Sequence, residues 1–298
     1  MCKVVLTCIV RYSLAMDLQN NISVLFLGDV IGKPGRRVIK QFLAGHAPKA
    51  DLIIANAENA AHGFGTTETN LQELRDAGVQ AFTGGNHTFD RKEIFEFIDQ
   101  QQNVIRPANY PEGTPGVGSC IVEIADGVKV GLINVLGRVF MEPLESPFLV
   151  AEKLVEKLSA ETKIIIVDIH AEATAEKIAL GLYLDGKVSA VVGTHTHVQT
   201  ADERILPAGT AFLTDAGCCG PANGVIGMDQ VAVFRRMVKQ LPSRFEVADG
   251  PAMVNGAVFE IDKTTGKAIS IRRVRFNEIT ESTESKTGND SAKLSQTV

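Results

Sequence analysis

The stretch SVLFLGDVIGKPGRRVIKQFLAGHA, residues 23–47, contains the unit from which we derive the fold. Its first five residues are a short apolar run typical of a β-strand, and the run ends in Gly28-Asp29. A helix follows, with Pro34 near its first turn, where the backbone N–H that proline lacks has no intrahelical partner anyway. The stretch therefore predicts a strand, a polar residue at the carboxyl end of that strand, and a helix.

The same order recurs twice in the next fifty residues. DLIIANAEN (51–59) is an apolar strand with polar residues at its end, and VQAFTGGNH (79–87) is another. The helix TETNLQELRDAG (67–78) lies between them, with Thr66 or Thr67 as its cap and Gly78 at its close. DRKEIFEFIDQ (90–100) predicts a third helix. This alternation predicts a parallel sheet covered by helices.

Hairpins and further strand–helix units fill the rest of the chain. The turn Asp126-Gly127 predicts a hairpin in CIVEIADGVKVGLINVLG, and two later stretches predict hairpins as well. Strands are predicted in KIIIVDIH (163–170) and VSAVVGTHTH (188–197), with a helix around AEKIALGLYL between them. VAVFRRMVKQL predicts a helix before the last hairpin. We expect a β-sandwich with helices on both outer faces.

Composition and charge narrow the class of protein. The 298 residues are 45% hydrophobic, which is ordinary globular composition, and the net charge of -5 gives no basic footprint for nucleic acid. The length fits one large α/β domain or two small ones, and mixed helix and strand patterning without a low-complexity break favours one. We expect a disordered N-terminal extension (1–22, with Met16 as an alternative start), the domain (23–279) and a disordered tail (280–298). The apolar run VVLTCIV near the start is too short to span a bilayer, so we expect no membrane association.

The cysteines predict free thiols rather than a disulfide framework. Their number is odd and no CxxC motif occurs; they are Cys2, Cys8, Cys120, Cys218 and Cys219. A reducing cytoplasm is the compartment that this usage predicts.

Five predicted strands end in residues that bind divalent metals: Asp29, Glu58 with Asn59, Asn86 with His87, His170, and His195 with His197. Ligands of open α/β sheets lie beyond the carboxyl ends of the strands. Each residue has an alternative role when taken alone, because Asp29 could cap a helix, Glu58-Asn59 could stabilise a turn, and His170 could be a buried core histidine. Together they predict a metal site of carboxylate, amide and imidazole ligands, suited to Mn²⁺, Fe²⁺ or Zn²⁺.

These residues, in their chain order, resemble the calcineurin-like metallophosphoesterase signature of Asp, Gly-Asn-His, His and Gly-x-His-x-His. The stretches GDVIGKPGRR, NAENAAHGFG, GGNHTFD, RPANYP, DIHAEAT, GTHTHVQTADERILPAGTAFLTDAGCCGP and GVIGM resemble the YmdB-like branch more closely. The resemblance covers about Val24 to Phe276. It implies a four-layer α/β/β/α sandwich and a phosphodiesterase acting on small phosphodiesters such as 2′,3′-cyclic nucleotides.

The resemblance also implies a role for each strand-end residue. Two divalent metals are expected, iron or manganese, with zinc as the alternative. One metal would be bound by Asp29, Asn59 and His197, the other by Asn86, His170 and His195, and Glu58 would bridge them. His87 would be the general acid while metal-activated hydroxide attacks phosphorus. A homo-oligomer is expected on the same ground.

Three positions depart from the wider pattern. Ile31 stands where the superfamily usually has histidine, a loss that the YmdB-like branch shares. Cys218-Cys219 and His62 stand where other residues are expected, which affects expectations about substrate choice and redox sensitivity rather than about the metal ligands.

Several roles stay open from the residues alone. Arg138 is a candidate for substrate contact, ahead of Arg36 and Arg37, which we expect to be solvated helix residues. Asp90 either orients His87 or caps the next helix, and the cap is the preferred interpretation. The alternatives to a phosphodiesterase are a phosphomonoesterase or nucleotidase using the same site, and a regulatory metal-binding module. An RNA substrate is also left open.

Overall fold

The computed structural model describes residues 20–279. Residues 1–19 of the predicted extension and the predicted tail, 280–298, lie outside them. The first strand begins at Asn21 rather than at Ser23, because Asn21 and Ile22 already pair with an antiparallel neighbour. Within the described range no helix combines the length and the apolar character needed to cross a membrane.

The described residues form thirteen strands and six α-helices. The strands are β1 (Asn21–Leu27), β2 (Asp29–Val30), β3 (Leu52–Asn56), β4 (Ala81–Thr83), β5 (Ser119–Glu123), β6 (Lys129–Leu136), β7 (Ile165–His170), β8 (Ala190–Thr194), β9 (Arg204–Ile205), β10 (Ala211–Leu213), β11 (Cys218–Pro221), β12 (Ala252–Asp262) and β13 (Ala268–Asn277). The helices are α1 (Gly32–Leu43), α2 (Glu68–Ala77), α3 (Ile94–Phe97), α4 (Pro147–Ser159), α5 (Thr174–Tyr183) and α6 (Gln230–Met237).

The strands form two sheets. The first has the order β2-β11-β12-β1-β3-β4, with β13 paired to β12, and the second has the order β5-β6-β7-β8-β10-β9. In the first sheet β1, β3 and β4 are parallel, and in the second β6, β7, β8 and β10 are parallel. The three predicted hairpins are the antiparallel pairs β5–β6, β9–β10 and β12–β13.

The apolar core is divided into clusters, and successive side chains of one strand belong to different clusters. In β1, Val24 and Phe26 belong to an apolar cluster that contains residues of both sheets, whereas Leu25 and Leu27 belong to a cluster with helices α1, α2 and α3. A third cluster combines the second sheet with α4 and α5. Successive side chains of a strand point to opposite faces, so each of these strands is buried on both sides. The fold is mixed α/β, with two sheets and helices packed against them.

Helix boundaries follow the predicted signals in some places and not in others. Thr67 caps α2 through a hydrogen bond from the Asn70 backbone N–H, and Gly78 follows the helix in the left-handed conformation at φ 114°. The predicted helix 90–100 is shorter, with α3 covering Ile94–Phe97 and a 3₁₀ turn continuing it. Helix α4 was not predicted, although Pro147 at its start is a typical first-turn residue.

Candidate metal centre

The carboxyl ends of the parallel strands of both sheets meet in one region. Glu58 follows β3 of the first sheet, and His170 is the last residue of β7 of the second sheet. The Glu58 Oε1 and His170 Nε2 atoms lie 3.1 Å apart, and both side chains are buried. The strand-end residues predicted from the sequence are therefore brought together across the two sheets.

One half of the centre surrounds the Nε2 atom of His170. This atom lies 3.0 Å from Asn86 Oδ1 and 3.0 Å from His195 Nδ1. The ligand atoms offered by Glu58, His170 and His195 all lie within 4.8 Å of one another. Four of the predicted ligands thus direct oxygen or nitrogen atoms at one small volume.

The other half contains Asp29, Asn59 and His197. Asp29 Oδ1 lies 3.8 Å from His197 Nε2, and the amide nitrogen of Asn59 lies 3.4 Å from the same imidazole atom. The side-chain oxygens Asp29 Oδ1 and Asn59 Oδ1 are buried and have no hydrogen-bond partner among residues 20–279. An unsatisfied buried polar atom costs about 1–3 kcal/mol, and a bound cation would satisfy both oxygens. These residues therefore fit a divalent metal.

Hydrogen bonds define which imidazole nitrogen is free in two of the histidines. The Nδ1–H of His197 donates to the Ile226 carbonyl oxygen at 2.9 Å, which leaves Nε2 with its lone pair. His170 Nδ1 lies 2.9 Å from the hydroxyl oxygen of Thr194, which itself donates to Asp168 Oδ1 at 2.7 Å. The hydroxyl must therefore accept from Nδ1–H, which leaves Nε2, the atom facing Glu58, as the one that would lose its proton to bind metal.

His195 faces the centre with its other imidazole nitrogen. Its Nε2 atom lies 3.2 Å from the carboxylate of Glu172, and its Nδ1 atom faces His170 Nε2, so Nδ1 is the atom that would bind metal. His195 and His197 both have positive backbone φ, 97° and 63°. Such angles are uncommon for residues other than glycine and need support from the surroundings.

A buried ion pair that we did not predict supplies this support. Asp215 Oδ2 accepts hydrogen bonds from the backbone N–H and the hydroxyl of Thr196, the residue between the two histidines. The Lys177 ammonium lies 2.7 Å from the same oxygen, and both side chains are fully buried. Asp215 follows β10, so the strand-end rule could have found it. Lys177 lies in a helix whose pattern gave no such signal.

Gly85 lets the backbone approach the centre closely. A Cβ atom at this position would overlap Glu58 Oε2 and His170 Nε2. The neighbouring Asn86 and His87 can therefore reach the ligand atoms, and the backbone N–H of His87 donates to Glu58 Oε2 at 2.9 Å.

His87 lies at the edge of the centre, and Asp90 orients it. His87 Nδ1 is 2.8 Å from Asp90 Oδ2, and the ring packs edge-on against Phe64 at a centroid distance of 4.9 Å. The preferred prediction that Asp90 caps the next helix was wrong, because α3 begins four residues later with Glu93 at its cap position. His87 is therefore held with Nε2 available for a reacting group.

Burial and neighbouring charges shift the pKa values of the side chains in the centre. Burial raises the pKa of Asp29. Burial also disfavours the charged forms of Glu58 and His170, but their mutual attraction dominates, so the pKa of Glu58 falls to about 2 and that of His170 rises to about 9. Burial and then the charge of His170 lower the pKa of His195 to about 3. A cation at this position would stabilise the buried carboxylates.

A cavity of about 400 Å³ opens beside the cluster, and we call it the substrate cavity. Its polar side contains Glu58, Asn59, Glu172 and the three histidines His87, His195 and His197. Its apolar side includes Phe64, Met228, Val233, Met237 and Phe245.

The arginines predicted as candidates for substrate contact lie elsewhere. Arg138 is exposed in the loop after β6 and does not line the substrate cavity, so its predicted role gains no support. Arg36 and Arg37 form ion pairs with Glu73 and Glu278. Arg37 is solvated, as expected, whereas the Arg36 side chain is only 12% exposed and donates to the Ala60 carbonyl oxygen, so for Arg36 that expectation was wrong.

Ile31 and the Cys218-Cys219 pair, which depart from the family pattern, are packing residues, whereas His62 is exposed. Ile31 is buried in an apolar cluster with Cys218, Met228 and Val233. Cys218 and Cys219 are free thiols, and burial raises the pKa of both, that of Cys219 to about 12. A buried neutral thiol reacts slowly, so these two cysteines are packing residues.

Comparison with known proteins agrees with this geometry. The family model described as YmdB-like protein matches residues 25–274. The chain belongs to the YmdB-like family. It is 50% identical over 257 residues to the 2′,3′-cyclic-nucleotide 2′-phosphodiesterase of Bacillus subtilis, an alignment that covers 86% of this chain and 97% of that protein. A putative phosphatase/phosphodiesterase of Mycoplasma pneumoniae is 39% identical, with 88% of this chain and 95% of that protein covered.

Solved structures of two relatives have the same fold. A hypothetical protein from Thermus thermophilus superposes with a TM-score of 0.82 at 39% identity, covering 87% of this chain and 100% of that one. A novel phosphatase from Mycoplasma pneumoniae gives a TM-score of 0.81 at 38% identity, with 87% and 94% covered. The YmdB-like family thus includes proteins named as phosphatases and phosphodiesterases.

Proposed function

We propose that this YmdB-like protein is a metal-dependent phosphodiesterase that opens 2′,3′-cyclic nucleotides at the bond to O2′. The main support is a cluster of metal-binding groups beside one cavity. Two buried oxygens, Asp29 Oδ1 and Asn59 Oδ1, have no hydrogen-bond partner among the described residues. They lie near the imidazoles of His170, His195 and His197. The activity for which the Bacillus subtilis relative is named supplies the substrate class.

We propose two cations in this centre. Asp29, Asn59 and His197 would hold one, Asn86, His170 and His195 would hold the other, and Glu58 would lie between them. Bound cations would supply positive charge to the phosphate oxygens and lower the pKa of water to about 7. The ligands are oxygen and imidazole nitrogen without thiolate, which favours iron or manganese, with zinc as the alternative.

The residues around the centre position the substrate and deliver a proton. In the hydrolysis water gives up a proton to solvent and its oxygen bonds to phosphorus, while the P–O2′ bond breaks and O2′ takes up a proton. The imidazolium of His87 would donate this proton from Nε2, because Asp90 engages Nδ1. The apolar side of the substrate cavity, with Phe64 and Phe245, would contact the flat face of the base.

We also propose the four-layer α/β/β/α arrangement. Its support is the division of the apolar residues into one cluster shared by both sheets and two clusters between a sheet and its helices. The cytoplasmic location and the homo-oligomeric state stay predictions of the sequence.

The test is turnover and metal content of the His87→Ala variant. With 2′,3′-cyclic AMP we expect kcat to fall by about 10²–10⁴ while metal content is unchanged, because His87 acts on the leaving oxygen. The loss should be smaller with bis-p-nitrophenyl phosphate, whose leaving group needs no proton. His46→Ala, an exposed histidine beside Phe276, is the control. Full metal content in the wild-type protein without turnover of either ester would instead support a metal-binding module.

A further inference from the structure

A second cavity, of about 700 Å³, lies beside the substrate cavity, and we call it the basic cavity. Five basic side chains line it: Lys33, Arg37, His62, Arg91 and Arg244. The wall also contains two carboxylates, Glu246 and Asp249. Cationic side chains outnumber anionic ones here, although the chain as a whole carries a net charge of -5.

Two of the cations are free to bind a ligand. Arg37 is paired with Glu278, and the Arg91 guanidinium donates to the carbonyl oxygens of Ala61 and Phe64. In the part of the chain that the structure describes, Lys33 and Arg244 form no ion pair, and both are exposed. With Glu246 and Asp249 counted against Lys33, Arg91 and Arg244, the lining of the basic cavity therefore keeps a net positive charge.

The start of helix α1 adds to the positive potential. Lys33 and Pro34 lie in its first turn, which contains no acidic residue, and Ile31 at the cap position makes no side-chain hydrogen bond to the helix. The helix dipole favours an anion here, although the Gly32 N–H already donates to the Asn59 carbonyl oxygen and Pro34 has no N–H, so this contribution is smaller than that of the side chains. This contribution reinforces the side-chain cations that line the same cavity.

The two cavities are neighbours. Phe245 lines both, and three consecutive residues divide them: His62 faces the basic cavity, whereas Gly63 and Phe64 face the substrate cavity. The Arg91 guanidinium donates hydrogen bonds to the carbonyl oxygens of Ala61 and Phe64, which holds this segment in place. A ligand that extends from the substrate cavity past Phe245 would thus meet cationic side chains.

We propose that the basic cavity binds a second phosphodiester of the substrate, so that the preferred substrate is a short RNA ending in a 2′,3′-cyclic phosphate. The inference rests on the proposed phosphodiesterase function. The terminal cyclic phosphate occupies the metal centre and its base the substrate cavity, while the phosphate linking it to the preceding nucleotide lies against Lys33 and Arg244. A free cyclic mononucleotide leaves the basic cavity empty.

The experiment compares two substrates, 2′,3′-cyclic AMP and a diadenylate ending in a 2′,3′-cyclic phosphate, with the manganese-loaded protein. The wild-type KM should be about tenfold lower for the dinucleotide, because one more phosphate is bound by cations. The KM for the dinucleotide should also rise more steeply with salt, by about 0.7 in log KM per log unit of salt.

Two variants test whether the KM difference between the two substrates comes from the basic cavity. Lys33→Ala/Arg244→Ala should erase the dinucleotide preference and leave mononucleotide turnover unchanged. Lys40→Ala, which removes an exposed charge on the same helix outside the cavity, should keep the preference.

Three results would overturn the proposal. The first is an equal KM for both substrates in the wild-type protein, and the second is an equal loss for both in the double variant. In the third, inorganic phosphate changes the turnover of 2′,3′-cyclic AMP by the wild-type protein but not by the double variant. The basic cavity would then be a site for a free anion rather than for the substrate. Failure to hydrolyse either substrate would instead reject the phosphodiesterase function itself.

Discussion

At the scale of single residues, Gly85 allows the backbone to lie close to the candidate metal ligands. Any side chain here would occupy the space of the Glu58 carboxylate and the His170 imidazole. The backbone of residues 84–87 can lie against these ligands only because position 85 has no Cβ atom. The residue that makes the site possible is thus not one of its ligands.

We expect Gly85→Ala to reduce metal affinity by at least about tenfold, as loss of ligand orientation does in other metal sites. The variant should lose metal content and activity together, measured by elemental analysis and by turnover of 2′,3′-cyclic AMP. Gly45→Ala is the matched control, because a Cβ atom there would meet nothing within 4 Å. Normal metal content in Gly85→Ala would show that the close approach is not needed.

The candidate ligands could be predicted because each follows an apolar strand, where the sequence shows an abrupt change from apolar to polar residues. The residues that orient them were missed. Asp168 is a carboxylate in the middle of the apolar run IIIVDIH, and this anomaly was a usable signal. Asp90 was assigned to the wrong role because a cap and an orienting carboxylate have the same local sequence. Only tertiary contact distinguishes them.

At the scale of elements, the loop between β8 and β9 depends on the buried Lys177–Asp215 pair. Helix α5 carries Lys177 into the interior, where its ammonium meets the carboxylate that accepts from Thr196. Both histidines of this loop have positive φ, so the loop needs fixed anchors.

We predict that Lys177→Met destabilises the protein by about 3–5 kcal/mol, because it leaves Asp215 as a buried unpaired charge. Metal content should fall as well, since the histidine loop loses an anchor. Lys187→Met, which removes a surface pair with Glu152, should cause a much smaller loss. Chemical denaturation of the metal-free proteins compares the two. Equal stability of both variants would contradict the account.

Elements with two independent signals were predicted well. Helix α2 has a capping threonine and a closing glycine, and the hairpins have turn residues between apolar runs. Helix α4 was missed because a long irregular loop, residues 137–146, separates it from β6, so the strand–helix rhythm of the sequence is interrupted there. The short α3 was overextended because helical periodicity in residues 90–100 is interrupted by a 3₁₀ turn, which has the same local residue preferences.

At the scale of the whole molecule, we expect metal binding and folding to be coupled. Asp29 is completely buried, and burial raises its pKa, so the metal-free protein contains an unfavourable carboxylate. Ligands that bind only the folded state stabilise it, by about 2.7 kcal/mol at a concentration 100 times the Kd.

We therefore predict that manganese raises the thermal unfolding temperature of the wild-type protein and that a chelator reverses the rise. In Asp29→Asn the rise should be smaller, because one ligand is lost, whereas the metal-free variant should be at least as stable as the metal-free wild type. Calorimetry of the four samples tests this. A metal-free Asp29→Asn protein clearly less stable than metal-free wild type would contradict the buried-carboxylate argument.

The most direct test of the central claim is anomalous diffraction from crystals of the manganese-reconstituted protein. We predict two peaks per chain, one among Asn86, His170 and His195 and one among Asp29, Asn59 and His197, with Glu58 between them. A single peak, or none at these side chains, would contradict the two-metal centre.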